Sequence, residues 1–102
     1  MNLGDSIAYF VSEKEEIKLT TEHKPSNENE YALLMSKDAQ VIGNKNNVLR
    51  IQGQLAVTRA FGDIQYKKFI TSEPEVIKVC LNDLKYEYLI LATDGFWNVI
   101  IK

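Results

Sequence analysis

Apolar and polar residues alternate along the first segment of the chain in a pattern that predicts a β-hairpin. Residues 7–11 are rich in β-branched and aromatic side chains, and a charged stretch breaks this run at residues 12–16. The alternation resumes at residues 17–20. Two such runs joined by a short polar turn are typical of antiparallel strands that pair with each other.

The next segment has the signals of a helix. Ser26 and Asn27 follow a proline, and either residue can act as the N-cap. The helix is expected to stop near Lys37. Three apolar residues recur at helical spacing and predict the face that packs inward: Tyr31, Leu34 and Met35.

The rest of the chain predicts four further strands and a second helix. The strands are expected at residues 41–42, 48–51, 76–81 and 88–92. The first two flank an asparagine-rich loop. The last is a continuous apolar run, which predicts a strand that is buried on both faces. A turn at Asp94-Gly95 follows it, and a helix is expected from Phe96 onward.

Composition excludes several classes of function. The chain has 102 residues, of which 45% are hydrophobic, and a formal net charge of −2. This balance provides no broad basic surface for nucleic acid. No apolar stretch approaches the ~20 residues of a membrane span. Cys80 is the single cysteine and lies in an apolar run, so we expect a buried, inert thiol and an intracellular protein, cytoplasmic or nuclear.

Two aspartates stand at positions where strands are expected to begin or end. Asp94 follows the apolar run at residues 88–92, and Gly95 allows the chain to turn sharply there. Asp5 precedes the first strand. Carboxylates in such positions suit hard ions such as Mg²⁺ or Mn²⁺. Taken alone, each aspartate is more commonly an ordinary turn residue, and their spacing does not show whether they meet.

Five segments resemble, in order, the motifs of the PP2C-type metal-dependent protein serine/threonine phosphatases. Residues 2–6 resemble the Gly-Asp-Ser-Arg signature, and residues 20–25 resemble the Thr-x-Asp-His-Lys-Pro segment. Residues 54–63 closely resemble the Leu-Ala-Val-Ser-Arg-Ala-Phe-Gly-Asp block, and residues 73–76 the Pro-Glu-Val strand. Residues 91–99 resemble the Leu-Ala-Ser-Asp-Gly-Leu-Trp-Asp-Val segment.

This resemblance implies an α+β fold, a two-sheet β-sandwich flanked by helices, of which residues 1–102 form a central to C-terminal part. It implies hydrolysis of phosphoserine and phosphothreonine in proteins by water activated by Mg²⁺ or Mn²⁺. Asp94 matches the aspartate that binds the core metal pair, and Asp5 matches one that helps to hold an additional metal. The upstream Asp-Gly-His-Gly and downstream Asp-Asn segments are absent, so we expect the chain alone to be inactive.

Some positions depart from the family pattern. Ile7 stands where the signature has arginine, and Asn98 stands where the family has aspartate. Asn98 would lie just outside the metal ligands, where an amide attracts a cation less than a carboxylate does. These changes leave open a pseudophosphatase that acts as a binding or scaffold module.

Two other expectations concern single residues. Arg59 has apolar neighbours and needs a carboxylate partner, for which Asp63 is the candidate. Residues 4–7 are also similar to the Gly-Asp-Ser-Leu esterases, with Ser6 as nucleophile. That reading needs a histidine base, and His23 is more typical of a surface or strand-end position. Unpaired sheet edges additionally predict self-association of the chain.

Overall fold

The computed structural model describes residues 1–43, 48–83, 85 and 87–100, and within them the chain forms two small antiparallel sheets and two α-helices. The fold class is mixed α+β, as predicted. Neither helix in these ranges has the length and apolar character needed to cross a bilayer. The elements are β1 (Ile7–Val11), β2 (Glu16–Lys18), α1 (Glu28–Ser36), β3 (Val41–Gly43), β4 (Leu49–Ile51), β5 (Tyr88–Ala92) and α2 (Asp94–Ile100).

The first sheet has the strand order β2-β1-β5. The predicted hairpin is confirmed, since β1 pairs antiparallel with β2 and Tyr9 lies opposite Lys18. On its other side β1 pairs antiparallel with β5, from Ile7 opposite Ala92 to Val11 opposite Tyr88. The beginning of β1 therefore meets the end of β5, although the two strands lie at opposite ends of the chain.

Helix α1 confirms one of the two predicted caps. The Asn27 side chain accepts hydrogen bonds from the backbone N–H groups of Asn29 and Glu30, at 3.0 and 3.2 Å. These bonds satisfy two of the donors that the first turn of a helix leaves free. The helix ends at Ser36, close to the predicted stop.

The inward face of α1 differs from the predicted one. Leu34 is fully buried, but Tyr31 and Met35 are exposed, and Glu30 is buried instead. The pattern of apolar residues failed here because the neighbouring segment brings a cationic side chain, Arg59, against the helix. Arg59 stabilises a carboxylate on that face, whereas an apolar residue there would leave the Arg59 guanidinium unpaired.

The second sheet is the β3–β4 hairpin, in which Val41 lies opposite Ile51. Both predicted strands are confirmed, and the asparagine loop between them falls outside the described residues. Ile51 is fully buried in an apolar cluster that joins this hairpin to α1 and to the segment after residue 63. The buried members of the cluster are Leu34, Ala39, Ile51, Tyr66, Phe69 and Ile70.

The predicted strand at residues 76–81 is wrong. Glu75 forms an isolated bridge with Asn2, and the chain after it is irregular until a 3-10 turn at Leu81–Asp83. Ile77 and Val79 line an apolar groove together with Leu89 and Leu91 of β5 without joining the sheet as a strand. Cys80 is exposed, which corrects the expectation of a buried thiol.

Strand β5 is confirmed, but its predicted burial on both faces is wrong. Leu89 and Leu91 are 51% and 70% exposed, and Tyr88 is exposed as well. Within the described residues β5 pairs only with β1, so it forms an edge of its sheet. An apolar run that would be covered in the interior of a sheet therefore remains accessible at this edge.

A partly buried ion pair joins α1 to the segment at residues 58–60. Arg59 donates from Nε to Glu30 Oε1 at 2.8 Å and from Nη2 to Oε2 at 3.2 Å. Thr58 Oγ1 donates to the same Oε1 at 2.8 Å. The partner of Arg59 is thus Glu30 and not Asp63, which is exposed and adopts a left-handed conformation.

This ion pair predicts a loss of stability in acid. Burial alone would raise the pKa of Glu30, but hydrogen bonds from Arg59 and Thr58 and the charge of Arg59 lower it overall. A lowered carboxyl pKa contributes stability that is present above the ordinary value of about 4.3 and is lost as the pH falls below it. We expect Glu30→Gln to remove this part of the acid sensitivity. At neutral pH it should lower the free energy of unfolding by about 1–3 kcal/mol. Urea unfolding at several pH values measures both effects.

The matched control is Glu28→Gln, which changes an exposed carboxyl on the same helix. We expect this variant to unfold within ~0.5 kcal/mol of the wild type at neutral pH. Equal stability curves for Glu30→Gln and Glu28→Gln across the pH range would show that the buried ion pair does not stabilise the fold.

The accessible face of β5 predicts self-association. Leu89 and Leu91 lie on the same face of the strand because side chains alternate with a period of two. We expect the average mass of the chain, measured by analytical ultracentrifugation, to rise with concentration. The double substitution Leu89→Lys/Leu91→Lys should reduce this rise, because charged side chains on an edge strand oppose pairing.

The control is Ile42→Lys, which places a lysine at an exposed apolar position in the other sheet. This variant should associate as the wild type does. A wild-type chain that stays monomeric at every concentration would contradict the prediction.

Candidate metal site

The pairing of β1 with β5 brings Asp5 and Asp94 to the same end of the sheet. Ile7 lies opposite Ala92 in the last pair, and Asp5 and Asp94 each lie two residues beyond it at this end of the sheet. Both aspartates leave their strands at this point, so their carboxylates lie beyond the last paired residues. The structure therefore brings together the two aspartates that the sequence could not connect.

Trp97 fixes this end of the sheet. Its indole Nε1–H donates to the carbonyl oxygen of Ile7 at 3.2 Å and to that of Ala92 at 2.9 Å. These are the two residues of the last β1–β5 pair. The ring is buried and contacts the Tyr9 ring, with centroids 4.9 Å apart. One side chain thus holds α2 against both strands that carry the aspartates.

Asp94 is the first residue of α2. The carbonyl of Thr93 accepts from the backbone N–H groups of Phe96 and Trp97, at 3.1 and 3.2 Å, which starts the helix directly after the strand. Asn98 follows one turn later, so Asp94 and Asn98 lie on the same side of the helix. Both line one cleft.

The charges around Asp5 oppose its ionisation. Burial raises the pKa of Asp5, and the nearby charge of Asp94 raises it further, with a smaller contribution from Glu22. Lys24 acts in the opposite direction and lowers it. The effect of Asp94 on the Asp5 pKa means that the two carboxylates are close enough to interact, and a cation between them would relieve the repulsion.

Sequence reasoning missed three charged residues of the cleft. Lys18, Glu22 and Lys24 line it together with Asp94 and Asn98. Glu22 lies 3.5 Å from Lys18 and 3.6 Å from Lys24. Strand periodicity offered a signal for all three, because residues 18, 22 and 24 share a face when the chain is extended.

His23 is buried, with 1% of its surface exposed, so the expectation of a surface position is wrong, whereas a position beyond the end of a strand agrees with its backbone bond to Gly4. Its Nδ1 accepts a hydrogen bond from the Gly4 N–H at 3.0 Å. The lone pair of this nitrogen is therefore unavailable as a base for Ser6, and the esterase reading loses support. Gly4 itself has φ 109, a conformation that favours glycine.

The described residues hold no group of three or more histidine, cysteine, aspartate or glutamate side chains that could bind a metal. The site consists of the Asp5–Asp94 pair with Asn98 beside it. A carboxylate pair supplies hard oxygen ligands of the type that Mg²⁺ and Mn²⁺ prefer. The residues present fit a divalent cation but provide only part of its coordination shell.

Curated relatives of this chain are phosphatases by name. A rice protein (Oryza sativa subsp. japonica) named Probable protein phosphatase 2C 74 is 37% identical over 99 residues, which span 97% of this chain and 25% of that protein. Probable protein phosphatase 2C 28 of Arabidopsis thaliana is 40% identical over 97% of this chain and 29% of its own length. The chain therefore spans about a quarter to a third of these relatives.

Solved structures match the same region. The structure titled as a C. elegans sex determining protein aligns with 96% of this chain and 24% of its own, with a TM-score of 0.85 and 35% identity. The serine-threonine phosphatase 2C from Toxoplasma gondii aligns with 96% of this chain and 37% of its own, with a TM-score of 0.73 and 28% identity. The family model of protein phosphatase 2C matches residues 1–102, so the chain belongs to the protein phosphatase 2C family.

Proposed function

We propose that this chain is part of a Mg²⁺- or Mn²⁺-dependent protein serine/threonine phosphatase, in which Asp94 and Asp5 bind metal beside the phosphoryl group of a phosphoprotein. The observation that supports the proposal is the β1–β5 pairing, whose last pair, Ile7 with Ala92, leaves Asp5 and Asp94 at the same end of the sheet. The raised pKa of Asp5, caused first by burial and then by Asp94, supports it, because such a pair gains most from a cation.

The metal supplies chemistry that side chains here do not. In such sites divalent ions make water a better nucleophile at neutral pH and neutralise charge on the phosphoryl oxygens. The chain's own residues provide orientation. Asp94 is fixed by the strand before it and the helix after it, and Asn98 can accept a hydrogen bond from water in the cleft.

The lysines of the cleft add positive potential. Lys18 and Lys24 line the same surface as Asp94, and each is paired with Glu22. A phosphorylated segment that enters the cleft can compete with Glu22 for these ammonium groups, since a phosphoryl group carries about −1.5 to −2 charges. The lysines thus suit an anionic substrate without making the surface broadly basic.

The carboxylate pair leaves most coordination positions to other donors. Mg²⁺ requires near-octahedral coordination by oxygen, and Asp5 and Asp94 supply two carboxylate groups. In the proposed enzyme, water and the Asp-Gly-His-Gly and Asp-Asn segments of the family domain complete the shell. This is why we propose weak metal binding by the chain alone.

A pseudophosphatase that acts as a binding module is the second candidate. Asn98 favours it, because an amide lines the cleft where the family pattern has a carboxylate. Ile7 favours it as well, since an apolar residue occupies the arginine position of the signature. The two candidates differ in turnover and agree on the fold.

The isolated 102-residue chain is expected to show no phosphatase activity above background with Mn²⁺ present. The measurement is phosphate release from a phosphothreonine peptide, with a complete family member as the positive control. Sustained, Mn²⁺-dependent turnover by the chain alone would contradict the proposed incomplete coordination.

In the full-length gene product, Asp94→Ala is expected to abolish Mn²⁺-dependent phosphatase activity. Calorimetry should also show weaker Mn²⁺ binding, because a carboxylate ligand is lost. The control is Asp38→Asn, an exposed aspartate at φ 57 in another part of the chain, where asparagine tolerates the same backbone conformation. Normal activity and metal affinity in Asp94→Ala would refute the role proposed for Asp94. A wild-type protein that binds Mn²⁺ without turnover would favour the pseudophosphatase.

A further inference from the structure

We propose that His23 is a positioning residue for Asp5. It acts through two hydrogen bonds to Gly4, one from its ring and one from its backbone, which together are called the clamp. The metal-binding part of this inference rests on the proposed function. The His23 Nδ1 accepts from the Gly4 N–H at 3.0 Å, and the backbone N–H of His23 donates to the Gly4 carbonyl at 2.9 Å. The first bond fixes the peptide group before Gly4. The second fixes the peptide group that leads directly into Asp5.

The clamp continues the β1–β2 ladder beyond its last paired residues. Extending the register in which Tyr9 lies opposite Lys18 sets Gly4 opposite His23. In an ordinary antiparallel pair the two residues would exchange both backbone N–H···O bonds. Here the imidazole takes the position of the His23 carbonyl as acceptor for the Gly4 N–H.

The replaced carbonyl has another partner. The backbone N–H of Thr58 donates to the His23 carbonyl at 2.8 Å, and Thr58 Oγ1 donates to Glu30 at 2.8 Å. His23 therefore connects two parts of the fold: its carbonyl is bound to the segment beneath α1, and its ring is bound to the loop that carries Asp5. A residue whose side chain lacks an acceptor near the backbone could not make both connections.

The conformation of Gly4 explains why the loop needs a clamp. Gly4 has φ 109, and a Cβ there would lie 3.6 Å from the Arg59 carbonyl, which is an ordinary contact. The requirement for glycine is thus conformational rather than steric. A residue with a rarely adopted backbone conformation keeps it when surrounding hydrogen bonds hold it in place. Both the N–H and the carbonyl of Gly4 are hydrogen-bonded to His23.

The geometry also determines which ring nitrogen carries the proton. Nδ1 can accept from Gly4 only if it is unprotonated, so the proton of the neutral ring lies on Nε2. In the opposite tautomer, the Nδ1–H and the Gly4 N–H would both be donors and could not bond to each other. Nε2 is buried and has no hydrogen-bond partner among the described residues. Within those residues, the ring therefore makes its hydrogen bond through Nδ1, to the Gly4 N–H. Burial lowers the pKa of His23, and the charge of Arg59 lowers it further, which agrees with a neutral ring.

The first test uses the unsubstituted full-length gene product without metal. Nitrogen-15 NMR of the His23 ring should show an unprotonated Nδ1 and a protonated Nε2. A scalar coupling across the hydrogen bond should connect Nδ1 with the Gly4 amide nitrogen. A protonated Nδ1, or the absence of this coupling, would overturn the clamp, and this arm needs no variant to fold.

The second test compares His23→Asn with His23→Leu. Asparagine keeps an acceptor at a similar distance from the backbone, whereas leucine fills the space without one. We expect His23→Leu to accelerate hydrogen exchange of the Gly4 amide and to weaken Mn²⁺ binding, measured by calorimetry, by about 10- to 100-fold. His23→Asn should restore most of both. If the two variants are equally impaired, or if His23→Leu retains wild-type exchange and affinity, the positioning role is wrong.

The two arms separate this inference from the proposed function. Asp94→Asn tests the metal site alone and leaves the His23–Gly4 bonds in place. Unchanged Mn²⁺ affinity in Asp94→Asn, together with an intact His23–Gly4 coupling, would overturn the metal site. The hydrogen bonds of the clamp would then stand, but their proposed effect on metal binding would not. Weakened affinity in Asp94→Asn without that coupling would overturn the clamp and leave the metal site standing.

Discussion

The antiparallel pairing of β1 with β5 is the interaction on which the candidate site depends. It joins segments separated by most of the chain and sets the start of one strand against the end of the other. A slip of one residue would turn each side chain to the opposite face of the sheet. Trp97 opposes such a slip, because its indole N–H is bound to the carbonyls of Ile7 and Ala92, the last residues in register. The site is thus fixed by a side chain that does not itself carry its chemistry.

A second constraint acts from the other side of the fold. The ion pair of Glu30 with Arg59 gives α1 a charged inward face and holds the segment at residues 58–60 beneath it. Thr58 belongs to the same network and binds the carbonyl of His23. Leu34, on the same helix as Glu30, belongs to the apolar cluster that also contains Ile51. A buried ion pair of this kind gives modest net stability but leaves a high cost for any arrangement that separates its partners.

Negative charges outnumber positive charges around the candidate site. Asp94 and Glu22 line the cleft with Lys18 and Lys24, and Asp5 lies near enough to Asp94 to interact with it. Each lysine lies close to Glu22, and Lys24 offsets only part of the rise in the pKa of Asp5. Repulsion between the Asp5 and Asp94 carboxylates therefore remains. A divalent cation is the partner that such a pair accommodates best, which links the fold to the metal-dependent chemistry proposed for it.

The sequence by itself determined the features that depend on neighbouring residues. The β1–β2 hairpin, the Asn27 cap, the β3–β4 strands and the strand that ends at Asp94 all follow from local patterns, and the order of motifs identified the family. Tertiary structure decided the rest: that Asp5 meets Asp94, that Glu30 rather than Asp63 pairs with Arg59, and that residues 76–80 form no strand. Each of these depends on contacts between segments far apart in the chain, and local periodicity carries no information about which distant segment supplies the partner.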